Sequence, residues 1–167
     1  MRLIDPAKGA LVVGAVLMIA MGASLAQSPS PVQSQGPADI IKARQQHLKD
    51  VGKAAKAISD QLKSGSPDKD IVLASATDID KILKDMPTWF PKGTGPEVGV
   101  KTAAKPEIWA QPDDFRKAYD NAQAAADKLA QVAATGDANA EATAFMSLGM
   151  NGCQNCHKQF RVKQENQ

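Results

Sequence analysis

The chain has 167 residues, enough for one domain, and a formal net charge of +2 at pH 7. That near-balance argues against a nucleic-acid surface and against a strongly charged docking face. Hydrophobic residues make up 43% and aromatic residues only 4%; with abundant alanine and few β-branched runs, this composition favours helix over sheet.

Residues 1–26 read as an export signal outside the fold. Arg2 and Lys8 make a positive start, Gly9 to Ala23 is an almost unbroken apolar run, and Ser24-Leu25-Ala26 supplies the small residues a signal peptidase reads. A retained membrane anchor is the alternative, although the apolar run is near the lower limit for spanning a bilayer. On either reading the rest of the chain is exported. Arg2, Lys8 and Asp5 carry a net +1, so cleavage after Ala26 leaves a net charge of +1. Residues 27–36, rich in Ser, Pro and Gln, read as a flexible leader.

The folded region is expected over 37–163. A first helix from Pro37 to about Lys63 carries an apolar stripe of Ile41, Leu48, Val51, Ala55, Ile58 and Leu62, and Gly65 ends it. Ser66-Pro67-Asp68 reads as cap, first-turn proline and first-turn acid of a second helix reaching about Met86. Its stripe is Val72, Ser75, Ile79, Ile82 and Met86. Residues 87–111 form a long connection containing Trp89, Phe90, Ile108 and Trp109, so it should be ordered, with its aromatics packed on the bundle or at the edge of a bound group. Pro112 opens a third helix with Phe115, Ala118, Ala122, Ala125, Leu129 and Val132 inward. Gly136 ends it, and Asp137 caps a fourth that presents Ala142, Phe145, Gly149, Cys153, Cys156 and Phe160 on one face and stops near Lys163. Residues 164–167 are a C-terminal tail. The expected fold is all-α, an antiparallel four-helix bundle.

Cys153-Gln154-Asn155-Cys156-His157 carries the chemistry. Thiols at i and i+3 project from one helix face. Each can form a thioether to a haem vinyl group, and the histidine that follows can ligate the iron. Zinc would need four ligands, so His47 would have to be recruited. A redox dithiol would want a strand before the motif and a helix starting at it. A plain disulfide would leave His157 without a role. One covalent haem c is the expected cofactor, bound in the space that alanines and glycines leave along the helix seam. Haem attachment outside the cytoplasmic membrane agrees with the export signal and makes the expected location periplasmic.

At this point the chain resembles the cytochrome c′ family, which includes the low-spin cytochromes c-556. The resemblance covers about 37–163. Its CxxCH lies near the C-terminus, and Cys156-His157-Lys158-Gln159-Phe160-Arg161 is similar to the family's CH-x-x-aromatic-Arg. Ile41-Lys42-Ala43-Arg44-Gln45, Lys105-Pro106-Glu107-Ile108-Trp109, and Phe90 with Gly93-Thr94-Gly95 are similar to further family segments. The resemblance implies Arg44 and Arg161 at the haem propionates, Phe90 in the cofactor pocket and a homodimer.

The sixth iron position decides the chemistry. In the family that place is four residues after the first-helix arginine, where the low-spin relatives have methionine and this chain has Leu48. Leucine cannot ligate iron, so Leu48 implies a five-coordinate, high-spin haem that takes NO or CO. The alternative is a six-coordinate electron carrier with His47 or Met86 on the iron. A redox partner protein fits either reading. An enzyme such as a peroxidase would want a distal acid–base pair to which only His47 could contribute, so no enzymatic activity is expected.

Overall fold

The computed structural model describes residues 36–163. The expected export signal at 1–26, most of the expected leader and the expected tail at 164–167 lie outside the described residues. No helix among the described residues is long and apolar enough to cross a membrane.

Helix α1 runs Pro37–Lys63, with proline at its start, where a missing N–H costs nothing. It ends where Ser64 donates its hydroxyl to the Gln61 carbonyl at 2.7 Å. Gly65 then turns the chain with φ 78°, which a side chain would resist. Helix α2 runs Lys69–Lys84. Its cap is Asp68, whose carboxylate accepts from the backbone of Asp70 at 2.9 Å and Ile71 at 3.3 Å. The start therefore lies later than the Ser66-Pro67 reading, because a carboxylate accepts from a helix N-terminus more strongly than a hydroxyl does. The second helix also ends early, at Lys84, and Met86–Trp89 tightens into a 3₁₀ turn.

The connection then holds a 3₁₀ turn at Pro96–Val98 and a short helix α3 at Glu107–Ala110. Helix α4 spans Pro112–Ala133. The last rod is continuous from 138 to 160 but not uniform. It comprises α5 (Ala138–Ser147), a π-helical stretch at Leu148–Gln154, and α6 (Asn155–Phe160). Asp137 caps α5, accepting from Asn139 at 3.0 Å and Ala140 at 3.1 Å.

Helix α1 packs on α2, α2 on α4, and α4 along the whole last rod, while α5 also touches α1. The result is a four-helix bundle. Its main core holds Ile58, Val72, Ile79, Leu83, Leu129 and Leu148, all buried. Each such side chain stabilises the fold by roughly 1.5–3 kcal/mol on burial. A second, smaller cluster joins Ile108, Ala118, Cys156 and Phe160. Asp80 ties α2 to α4 by accepting from Gln123 at 2.7 Å, with Lys84 at 2.6 Å on its other oxygen.

The inner face of the last rod differs from the expected stripe. Glu141, Ala144, Leu148, Gly152, Cys156 and Phe160 are buried, whereas Ala142, Phe145, Gly149 and Cys153 are half-buried. From Leu148 on, the buried positions step by four. A straight α-helix over-rotates by about 40° at each such step, and the wider π winding absorbs the drift. The rod also stops at Phe160, short of Lys163. Arg161 is extended and pairs with Ala104 in an isolated bridge. Lys105 donates to the Phe160 carbonyl at 3.0 Å and Val162 to that of Ala103 at 2.8 Å.

Candidate haem site

Cys153 lies in the π-helical stretch and Cys156 in α6, and both thiols are free. Cys153 is half-buried against the main core; Cys156 is buried in the second cluster. Burial raises the Cys153 thiol, and burial together with the neighbouring Cys153 pushes Cys156 up to about 11. Both are therefore protonated at neutral pH. His157 is exposed on its outer side. What burial it has, and then the Arg161 cation, hold its imidazole below the ordinary value. The neutral ring keeps a nitrogen lone pair available to a metal. Among the described residues no group of three or more His, Cys, Asp or Glu is placed to hold a metal ion.

Arg44 is the unusual feature. It is only 2% exposed, yet among the described residues it makes no salt bridge. Its guanidinium donates to the hydroxyls of Thr94 at 3.1 Å and Thr102 at 3.0 Å. It also lies 4.9 Å from the Phe90 ring centroid and 5.7 Å from that of Trp109. Trp109 is fixed in turn, its indole N–H reaching the carbonyls of Phe90 at 3.0 Å and Pro91 at 3.1 Å. Desolvation lowers the arginine's proton affinity and Glu97 partly restores it. A buried cation without a carboxylate partner is strongly destabilising, so the site calls for an anionic group.

Aromatic rings link this nest to the motif. Phe90 meets Phe115 edge-on at 5.0 Å, and Phe115 meets Phe160 edge-on at 5.2 Å. Leu48, one turn after Arg44 on the same face of α1, is half-buried against the main core, as is Cys153. His47 is stacked on Trp89 with centroids 4.7 Å apart. Met86 is buried in the main core, while Met146 and Met150 are 64% and 59% exposed. Arg161, next to the bridge with the connection, is exposed.

A family model described as Cytochrome C' matches residues 39–161. The chain belongs to the cytochrome c′ family. It is 34% identical over 126 residues to cytochrome c′ of Pararhodospirillum photometricum, covering 75% of this chain and 98% of that protein. It is 32% identical over 124 residues to cytochrome c-556 of Agrobacterium tumefaciens, covering 74% and 97%. Among solved structures, a cytochrome c′ described as having an unusual ligand-controlled dimer dissociation is similar at TM-score 0.73 and 35% identity, with 77% of this chain and 98% of that one covered. A nitric oxide complex of a cytochrome c prime variant from Alcaligenes xylosoxidans matches at TM-score 0.69 and 25% identity, covering 77% and 97%. A carbon monoxide-bound variant from the same organism matches at TM-score 0.69 and 25% identity, covering 77% and 98%.

Cytochrome c′ proteins carry one covalent haem c, and this chain suits it on two counts. Two free thiols and an imidazole stand at the attachment spacing, and a buried guanidinium forms no salt bridge among the described residues. The hydroxyls of Thr94 and Thr102 were not visible to sequence reasoning, since a threonine in a Gly- and Pro-rich connection reads as turn chemistry.

Proposed function

We propose that this cytochrome c′ is a periplasmic haem protein with an open distal position that binds nitric oxide or carbon monoxide and can exchange an electron with a redox partner protein. In this reading Cys153 and Cys156 attach the cofactor, His157 ligates the iron, Arg44 and Arg161 meet the propionates, and Leu48 and Phe90 line the pocket. When bound, haem c supplies an iron able to hold a diatomic gas or to change oxidation state.

One observation carries the reading. Leu48 shares the Arg44 face of α1 and packs against the same core as Cys153, while His47 is turned onto Trp89. An aliphatic lid excludes water and offers no hydrogen bond, which disfavours polar dioxygen adducts and leaves NO and CO unhindered in that respect. The six-coordinate, c-556-like alternative needs His47 or Met86 to leave a ring stack or a core position. A homodimer is proposed by analogy with the relative whose dimer dissociates under ligand control.

Optical spectra of the ferric and ferrous protein, with and without CO, test the proposal. The expected ferrous spectrum is high-spin and changes on adding CO. A ferrous spectrum that is low-spin before any ligand is added overturns the open site.

A further inference from the structure

We infer that Thr102 is a direct ligand of the haem propionate that Arg44 meets, whereas Thr94 only positions Arg44. The inference rests on the proposed contact between Arg44 and a propionate.

The two hydroxyls have different hydrogen-bond accounts. A threonine hydroxyl has one hydrogen to donate and two lone pairs to accept with. Thr94, 2% exposed, donates its hydrogen to the Pro91 carbonyl at 2.8 Å and accepts from Arg44 at 3.1 Å. Its donor is committed inside the loop. Thr102 instead accepts twice, from Arg44 at 3.0 Å and from the backbone N–H of Ala104 at 3.2 Å. Both lone pairs are engaged, and its hydrogen has no acceptor among the described residues. Arg44 spends two of its five N–H groups on these hydroxyls, and no acceptor for the others occurs among the described residues. A free O–H beside free guanidinium N–H groups is a donor set for a carboxylate.

Thr102 is also held where such a ligand needs to be. The residues after it are clamped to the end of the haem-bearing rod, through Ala103 with Val162 at 2.8 Å and Lys105 with Phe160 at 3.0 Å. Thr102 immediately precedes the clamped segment 103–105, whose partner segment 160–162 begins three residues after His157. Thr94 has no such tie. Its place is set by its own turn and by the guanidinium.

The reduction potential of the holoprotein separates the two roles. Donors on a propionate neutralise its charge; removing one leaves more negative charge by the iron and favours the ferric state. Thr102→Val should shift the reduction equilibrium about tenfold toward ferric, which is ~59 mV for one electron. Thr102→Ser should restore the potential, because it keeps the hydroxyl. Thr94→Val should move the potential less and lower the urea midpoint more. Thr88→Val is the control, since that hydroxyl donates to the Asp85 carbonyl at 2.7 Å. If Thr102→Val does not accumulate, Thr102→Ala against Thr102→Ser gives the same comparison. The inference is overturned if Thr102→Val matches the control, or if Thr94→Val and Thr102→Val lower the potential equally. An Arg44→Leu shift alongside either result leaves the arginine–propionate contact standing; an Arg44→Leu potential equal to wild type removes both.

Discussion

The imidazole of His47 stacks on the indole of Trp89, with ring centroids 4.7 Å apart and planes 19° apart. The contact gives the histidine a partner on the flank of α1, beside the 3₁₀ turn that carries Trp89. In the proposed open site a histidine so placed stabilises the packing of the turn and does not ligate the iron. His47→Ala should therefore leave the ferric and ferrous spectra unchanged and lower stability by about 0.5–1.5 kcal/mol, the range for an aromatic pair. Absorption spectra and a urea titration of the variant check both halves. Conversion from low spin to high spin in this variant would identify His47 as the sixth ligand.

Gly152 lets the π-helical stretch approach the backbone of α4 at Ala122. A Cβ at this position would lie 3.1 Å from the Ala122 Cα and 3.2 Å from the Leu148 Cδ1. Backbone cannot yield as a flexible side-chain end can, so Gly152→Ala must push the rod off α4. The expected loss is about 1–3 kcal/mol, as for other overpacked cores. Cys153 is the next residue, so the yield of covalently attached haem should fall as well. Thermal denaturation and the haem-to-protein absorbance ratio measure the two effects. Gly149→Ala, with nothing within 4 Å of its added carbon, is the matched control and should cost far less.

Glu141 is 1% exposed, and one of its carboxyl oxygens has no hydrogen-bond partner. Burial, then Asp137, raises its proton affinity above the usual value of 4.5, and Lys69 offsets part of this. The folded protein thus holds this proton more tightly than the unfolded chain does. Folding takes up a proton between the two pKa values, so stability falls as pH rises from the usual carboxyl range through the raised one. Glu141→Gln should flatten that decline. Urea midpoints at several pH values between 4 and 8 decide it, where a variant slope equal to that of wild type would show that Glu141 is not the titrating group.

The parts of this fold legible in the sequence are those set by neighbours along the chain. Pro37, Gly65 and Asp137 act on the adjacent turn, so the bounds of α1 and the start of α5 follow from local chemistry. The CxxCH motif is legible for the same reason, because its three groups lie within five residues. Rotation of the last rod is not legible, since a 3.6-residue period presumes α winding and the stretch at Leu148–Gln154 winds as a π-helix. Nor are the partners of Arg44, whose threonines lie 50 and 58 residues away. Only the packed connection brings them together, and a hydroxyl leaves no periodic trace.

Leu48 controls access in the proposed open site, and its substitution gives the sharpest test. The side chain is half-buried against the main core, so a ligand entering beneath it must displace packed atoms. Overlap of that kind costs ~1–3 kcal/mol. Leu48→Ala removes the overlap and should raise CO affinity by roughly 5- to 150-fold, since ~1.4 kcal/mol is a factor of ten. The same truncation opens a cavity and should destabilise the fold, at the lower end of the ~2–5 kcal/mol range because the residue is not fully buried. Water gains entry too, which would move the ferric spectrum toward six-coordinate while the ferrous one stays open. Leu48→Met should act in the other direction, placing a thioether where the low-spin relatives of the family have theirs and closing the site to CO. CO titrations of the three proteins, with their ferric and ferrous spectra, measure all of this. Equal CO affinities for wild type and both variants would mean that Leu48 does not stand over the iron, and the distal face would have to be assigned to another element of the bundle.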